Sequence, residues 1–234
     1  MTQPMEGHTV HRYDGELSNL HLLILEMGGL VLDQVRQAVH ALIEEDLEAA
    51  HKVITREPIV DKLEVQADNE IVSIIAKRCP VAKDLRIITA VSKAVTDLER
   101  VGDEAARIAH MAISIYEGEM TSPNTQLLRD INSMGKLSIS MLKDALDIFD
   151  TFDLNRAQQL AKCDIELDAE FQSCFRRITT FILEDARNVG HAINIVLIVK
   201  ALERVGDHAR NLAEYIIFLI KGEDVRHQTP VKTN

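Results

Sequence analysis

Apolar positions along this chain recur every three or four residues over long stretches, and the strict alternation of a strand is not seen. That period belongs to amphipathic helices. Residues 17–45 carry Leu22, Leu25, Leu32, Val35, Val39 and Leu42 at helical spacing, with a soft point at Gly28-Gly29. A second helix is predicted over 47–78, bent or started near Pro58 and stopped by Cys79-Pro80. A third over 82–116 has Val91, Val95, Leu98, Val101, Ala105 and Ile108 as its core stripe. Residues 118–123 are rich in helix breakers, and three more helices follow over 125–150, 153–186 and 191–221 before a polar tail.

The halves repeat one another. Met27-Gly28 matches Met134-Gly135, Asp46-Leu47 matches Asp153-Leu154 and Ala50 matches Ala157, all at a shift of 107 in the numbering. Glu99-Arg100-Val101-Gly102-Asp103 returns as Glu203-Arg204-Val205-Gly206-Asp207 at a shift of 104. The expected fold is therefore all-α: two tandem, pseudo-symmetric, antiparallel three-helix bundles built from six long helices. The first spans 15–118 and the second 124–221, joined by a linker at 119–123, with flexible ends at 1–14 and 222–234.

Inside the repeated pentapeptide a Glu and an Asp stand four residues apart, so both carboxylates leave one helix face about 6 Å from each other. Their repulsion calls for a cation, a facing basic side chain or a shifted pKa. Helix five carries Asp164 and Asp168 at the same spacing, and Phe171, Phe175, Ile178 and Ile182 continue that stripe as seam positions. Helix two offers Glu64 and Asp68, with Glu57 and Asp61 one heptad earlier on the same face. At a uniform shift of 107, Glu57 and Asp61 match Asp164 and Asp168. In an antiparallel hairpin, residues equally far from the turn meet at one height, and the repeated Asp-x-Arg pairs Asp84/Arg86 and Asp185/Arg187 serve as the turn marks. On those marks Glu64 and Asp68 are the expected partners of Glu99 and Asp103, as Asp164 and Asp168 are of Glu203 and Asp207.

Composition narrows the class of function. The formal charge is −11, from 37 acidic and 26 basic side chains, which argues against nucleic acid as a direct ligand. Cys79, Cys163 and Cys174 form no CxxC pair, and the polar start does not read as a signal peptide, so a cytoplasmic setting is expected. Apolar runs such as 195–199 and 215–220 fall far short of the roughly 20 residues a membrane span needs.

Four clustered carboxylates form a hard-oxygen environment suited to magnesium, manganese, calcium or iron better than to tetrahedral structural zinc. The competing reading has Arg100, Arg107, Arg204 and Arg210 neutralise the acids without an ion. His110 and His208 stand near enough to act as extra ligands or as partners of ligands, and Arg100 and Arg204 as partners of ligands only. Asp84, Arg86, Asp185 and Arg187 are candidate partner contacts, with helix-end caps as the plainer role. A ferritin-like di-iron bundle would need two Glu-x-x-His motifs, and only Glu48 to His51 has that spacing. No phosphate loop, nucleophile elbow or catalytic dyad is visible.

The two three-helix halves, the paired acids, the run Ile75-Ala76-Lys77-Arg78-x-Pro80, Asp84-Leu85-Arg86 and the doubled Leu-Glu-Arg-Val-Gly-Asp together resemble the PhoU family over about residues 15–221. The resemblance implies a cytoplasmic, non-enzymatic regulator, often a homodimer, that carries metal ions or multinuclear iron or zinc clusters. It further implies partners: the ATPase subunit of the phosphate ABC transporter and the sensor histidine kinase of the phosphate regulon, which is held off when phosphate is abundant. Contact with the membrane would be through partners only. Carried onto this chain, the metal residues are Glu64, Asp68, Glu99, Asp103, Asp164, Asp168, Glu203 and Asp207. A carboxylate-bridged metal-dependent enzyme or iron-handling bundle, and a metal-free helical scaffold, are the alternatives.

Overall fold

Seven helices account for nearly all the described chain: α1 (His11–Glu44), α2 (Leu47–Arg78), α3 (Ala82–Tyr116), α4 (Thr125–Thr151), α5 (Leu154–Leu160), α6 (Asp164–Glu184) and α7 (Val189–Lys221). The computed structural model describes residues 11–117, 125–161, 164–184 and 189–225. The all-α expectation holds, and no strand occurs among the described residues. Two boundaries differ from those read in the sequence. The first helix starts at His11, before Gly15, and the stretch expected as one fifth helix is two helices, α5 and α6. Pro58 lies inside α2, where its missing N–H leaves the Ile54 carbonyl without its helical donor.

The duplication is visible in the backbone itself. Glu45 and Phe152, related by the shift of 107, both take left-handed conformations (φ 58° and 53°) at the corner after the first helix of each half. Each is followed by an N-capping aspartate: Asp46 accepts from the Ala49 N–H, and Asp153 from those of Asn155 and Arg156. Burial repeats at the same shift. Ala50, Val53, Val60, Ala67 and Ile71 of α2 are buried, as are Ala157, Leu160, Leu167, Cys174 and Ile178 of α5 and α6.

In the first half α1, α2 and α3 pack on one another, in the second α5 and α6 both pack on α4 and α7, and the halves join through α1 against α4 and α3 against α7. The outer helices α2 and α6 flank this four-helix centre. A Cβ on Gly28 would lie 2.3 Å from Leu146, and one on Gly135 would lie 2.9 Å from Val39. Gly28 and Gly135, like Val39 and Leu146, occupy equivalent places in the repeat, so the halves meet as a pseudo-twofold pair. One continuous apolar core results, and the stripe read for α3 is fully buried. The α1 stripe is turned slightly from the reading: Leu22 is 62% exposed, whereas Leu20, Leu23, Ile24, Met27 and Val31 are buried.

Candidate functional site

The repeated glycine sets the distance between the acid-bearing helices. A Cβ on Gly102 of α3 would lie 3.3 Å from Val60 of α2, and one on Gly206 of α7 would lie 2.1 Å from Leu167 of α6. Val60 and Leu167 are equivalent in the repeat, and each is followed directly by an aspartate, Asp61 or Asp168. Close helix approach at the glycine thus carries that aspartate toward the Glu and Asp of the neighbouring motif.

In the first half, Glu57, Asp61, Glu64, Glu99 and Asp103 share one electrostatic field. Burial, then Asp103, Glu64 and Asp61, pushes the Glu99 carboxyl up to about 7. Burial followed by Asp61 also raises Asp103, and burial followed by Asp68 and Asp61 raises Glu64. Glu57 is raised by burial, Asp61 and Asp103, with His110 opposing. Among the described residues none of these five carboxylates has an ion-pair partner within 4 Å.

Glu64 of the expected pair acts on Glu99, but Asp61 rather than Asp68 is the aspartate that acts on Glu99 and Asp103. Asp61 acts on all four of its neighbours, whereas Asp68 acts only on Glu64. The chain turns at Cys79-Pro80-Val81 between α2 and α3, and Pro80 lies midway between Glu57/Asp61 and Glu99/Asp103. Asp84-Leu85-Arg86 therefore lies beyond that turn, in the start of α3, and does not mark it. The shift falls from 107 to 104 between α6 and α7, so Asp168 and Glu203 stand three residues closer along the chain than Asp61 and Glu99 do. At the shift of 107, Glu64 and Asp68 correspond to Phe171 and Phe175 rather than to acids. Phe175, read as a seam position, is 46% exposed.

In the second half, Asp168, Glu203 and Asp207 converge. Burial, Glu203 and Asp168 push Asp207 up, against Lys200 and His208. Here basic side chains do meet motif acids: Lys200 Nζ donates to Glu203 at 2.5 Å, and Arg210 lies 3.6 Å from Asp207. The side chain of Asp164, and residues Asp185 and Arg187, lie outside the described residues. Among the described residues no three His, Cys, Asp or Glu side chains already stand at metal-ligating spacing.

Of the four arginines named in the metal-free reading, Arg210 alone lies within ion-pair distance of a motif acid among the described residues, and Arg100 and Arg107 oppose the rise of the first-half acids from farther away. Arg204 of α7 crosses to Glu104 of α3 at 2.8 Å, Arg107 lies 3.5 Å from the other Glu104 oxygen, and Arg100 makes no hydrogen bond or ion pair among the described residues. Sequence reasoning missed Asp97 of α3, which is buried and accepts from His208 Nδ1 (2.7 Å), Tyr215 (2.6 Å) and Asn211 (3.4 Å) of α7. An acid at a core position of the α3 stripe was its only signal. Between the two motifs a cleft of about 700 Å³ opens, walled by α3 and α7.

Two of the candidate partner contacts, Asp84 and Arg86, stand beside residues of this chain. Asp84 sits in the first turn of α3, where burial and then its charge push the Tyr13 phenol up to about 12. The Arg86 guanidinium lies against Gly222 at the end of α7.

A duplicated all-helical unit bearing paired carboxylates, with no helix among the described residues long and apolar enough to cross a membrane, defines the class. The family model described as PhoU domain matches residues 24–112 and 131–216, and the chain belongs to the PhoU family. It is 40% identical over 220 residues to the phosphate-specific transport system accessory protein PhoU homolog of Pseudomonas aeruginosa, covering 94% of this chain and 90% of that one. It is 33% identical to the phosphate-specific transport system accessory protein PhoU of Escherichia coli K12, covering 95% and 91%. The crystal structure of PhoU from P. aeruginosa matches with a TM-score of 0.86 and 39% identity, over 90% of this chain and 100% of that one. The phosphate transport system regulatory protein PhoU from Streptococcus pneumoniae matches at 0.81 and 28%, over 91% and 98%.

Proposed function

We propose that this chain is a non-enzymatic accessory protein of phosphate transport that carries metal ions on its paired carboxylates. The observation that carries the metal part is the first-half field: five carboxylates, one raised to about 7, without an ion pair among the described residues. Such a field costs stability in the metal-free chain, and a divalent or trivalent cation offsets it. Glu57, Asp61, Glu99 and Asp103 hold the first ion or ions, with Glu64 and His110 beside them. Asp168, Glu203 and Asp207 hold the second with Asp164. The donors are hard oxygens, which favours iron, manganese or magnesium, and small side-chain movements would bring them to ligating distance.

The names of the relatives support a regulatory role in phosphate uptake. In this reading, the loaded protein acts in the cytoplasm, as a homodimer, on the transporter's ATPase subunit and the phosphate-sensing histidine kinase, and represses the phosphate regulon when phosphate is abundant. Cation binding orders the α2–α3 face and selects the docking-competent state. Elemental mass spectrometry on tag-free protein, paired with a co-purification assay against the ATPase subunit, tests this. Stoichiometric metal and metal-dependent retention of the subunit are expected. Subunit retention that is identical after chelation rules out metal gating, and a parent protein that takes up no metal when offered iron, manganese, zinc or magnesium rules out the metal site.

A further inference from the structure

The cleft between the two motifs has a chemistry of its own. Arg100 and Arg107 line it from α3 and Arg204 from α7, so guanidinium groups of both halves face one space. Arg100 is unpaired among the described residues, and Arg107 and Arg204 share the single carboxylate of Glu104. Planar guanidinium forks match tetrahedral oxyanions. One acceptor stands among these donors: Glu104 is only 4% exposed, and its Oε2 is buried without a hydrogen-bond donor.

The geometry points to the α3–α7 cleft as a binding site for a protonated tetrahedral oxyanion, inorganic phosphate, with Arg100, Arg107 and Arg204 donating to its oxygens and Glu104 accepting its P–OH. Fully ionised sulfate has no proton to offer, and the buried carboxylate oxygen then faces an anion. A site built to accept a hydroxyl rejects the analogue that lacks it. Glu99, Asp103 and Asp207 also line the cleft, so the inference rests on their being neutralised by the cations proposed above. Occupancy would link the halves, because donors from α3 and α7 would grip the same anion.

Calorimetric titration of the full-length chain with inorganic phosphate, and with sulfate in parallel, tests this after manganese loading and after chelation. Saturable phosphate binding to the loaded protein is expected, with sulfate at least about tenfold weaker. The exposed pair Arg100→Ala/Arg107→Ala should lower phosphate affinity by about tenfold or more with unchanged helicity and metal content. Glu104→Gln should bring sulfate and phosphate closer together. Metal on the carboxylates without phosphate binding overturns the cleft and leaves the metal reading standing. A chain that takes up no metal, yet binds phosphate once Glu99→Gln, Asp103→Asn and Asp207→Asn are combined, overturns the metal reading and keeps the cleft. Equal binding of sulfate and phosphate by the parent, or full binding by the double arginine variant, overturns the assignment.

Discussion

The two acid sites of this protein share a backbone plan and differ in how their charge is met. In the first half Asp61, Glu99 and Asp103, with Glu57 and Glu64, face one another without an ion pair among the described residues. In the second half Lys200 lies on Glu203 and also 5.4 Å over the Phe171 ring, and Arg210 approaches Asp207. Phe171 itself stands where the first half has Glu64. Both halves keep the helix contacts that bring the acids together, and the second half adds Lys200 and Arg210 beside its acids. On the metal reading proposed above, the first site is the one that most needs an external cation.

That contrast can be broken most directly by removing acids. Asp61→Ala should empty the first site of metal while Asp68→Ala leaves it loaded, read by elemental analysis. Equal loss in both variants would restore the Glu64/Asp68 pairing. The next effect is steric. Gly206→Ala drives a Cβ into Leu167 and should cost about 1–3 kcal/mol in urea unfolding. Gly102→Ala should be near neutral, because a gain in helix propensity of about 1 kcal/mol offsets its looser contact with Val60.

A smaller effect concerns protons. The Glu99 carboxyl titrates near 7 when folded against an ordinary 4.5, so between those values the folded chain holds a proton that the unfolded chain has released. Stability of the metal-free protein is therefore greatest at the acid end of that window and falls as pH rises through it. Thermal melts should move down by a few degrees from pH 5 to pH 8, and Glu99→Gln should flatten that trend. A melt that instead rises with pH would remove Glu99 from the unpaired field. The smallest effect is at Lys200, which is 44% exposed: Lys200→Ala should cost about 0.5 kcal/mol or less without metal. The same change should tighten metal at the second site, sharpening its likeness to the first.

Much of this was legible along the chain. Helical periodicity, breakers and the constant shift between the halves determined the all-α duplicated plan, since a 3.6-residue apolar stripe can bury itself only against other helices. The doubled Glu-Arg-Val-Gly-Asp marked both acid helices, because like charges four residues apart need an explanation wherever the helix lies. Local spacing could not determine which acids of α2 face α3. That depends on where the chain turns, and Asp84-Leu85-Arg86, read as the turn mark, lies beyond the turn in the start of α3. The departure of Arg204 to Glu104, the burial of Asp97 beneath His208 and Tyr215, and the cleft between the motifs were decided by the packing of α3 on α7. Those contacts join residues separated by 100 or more positions, and only the tertiary structure brings them within hydrogen-bonding reach.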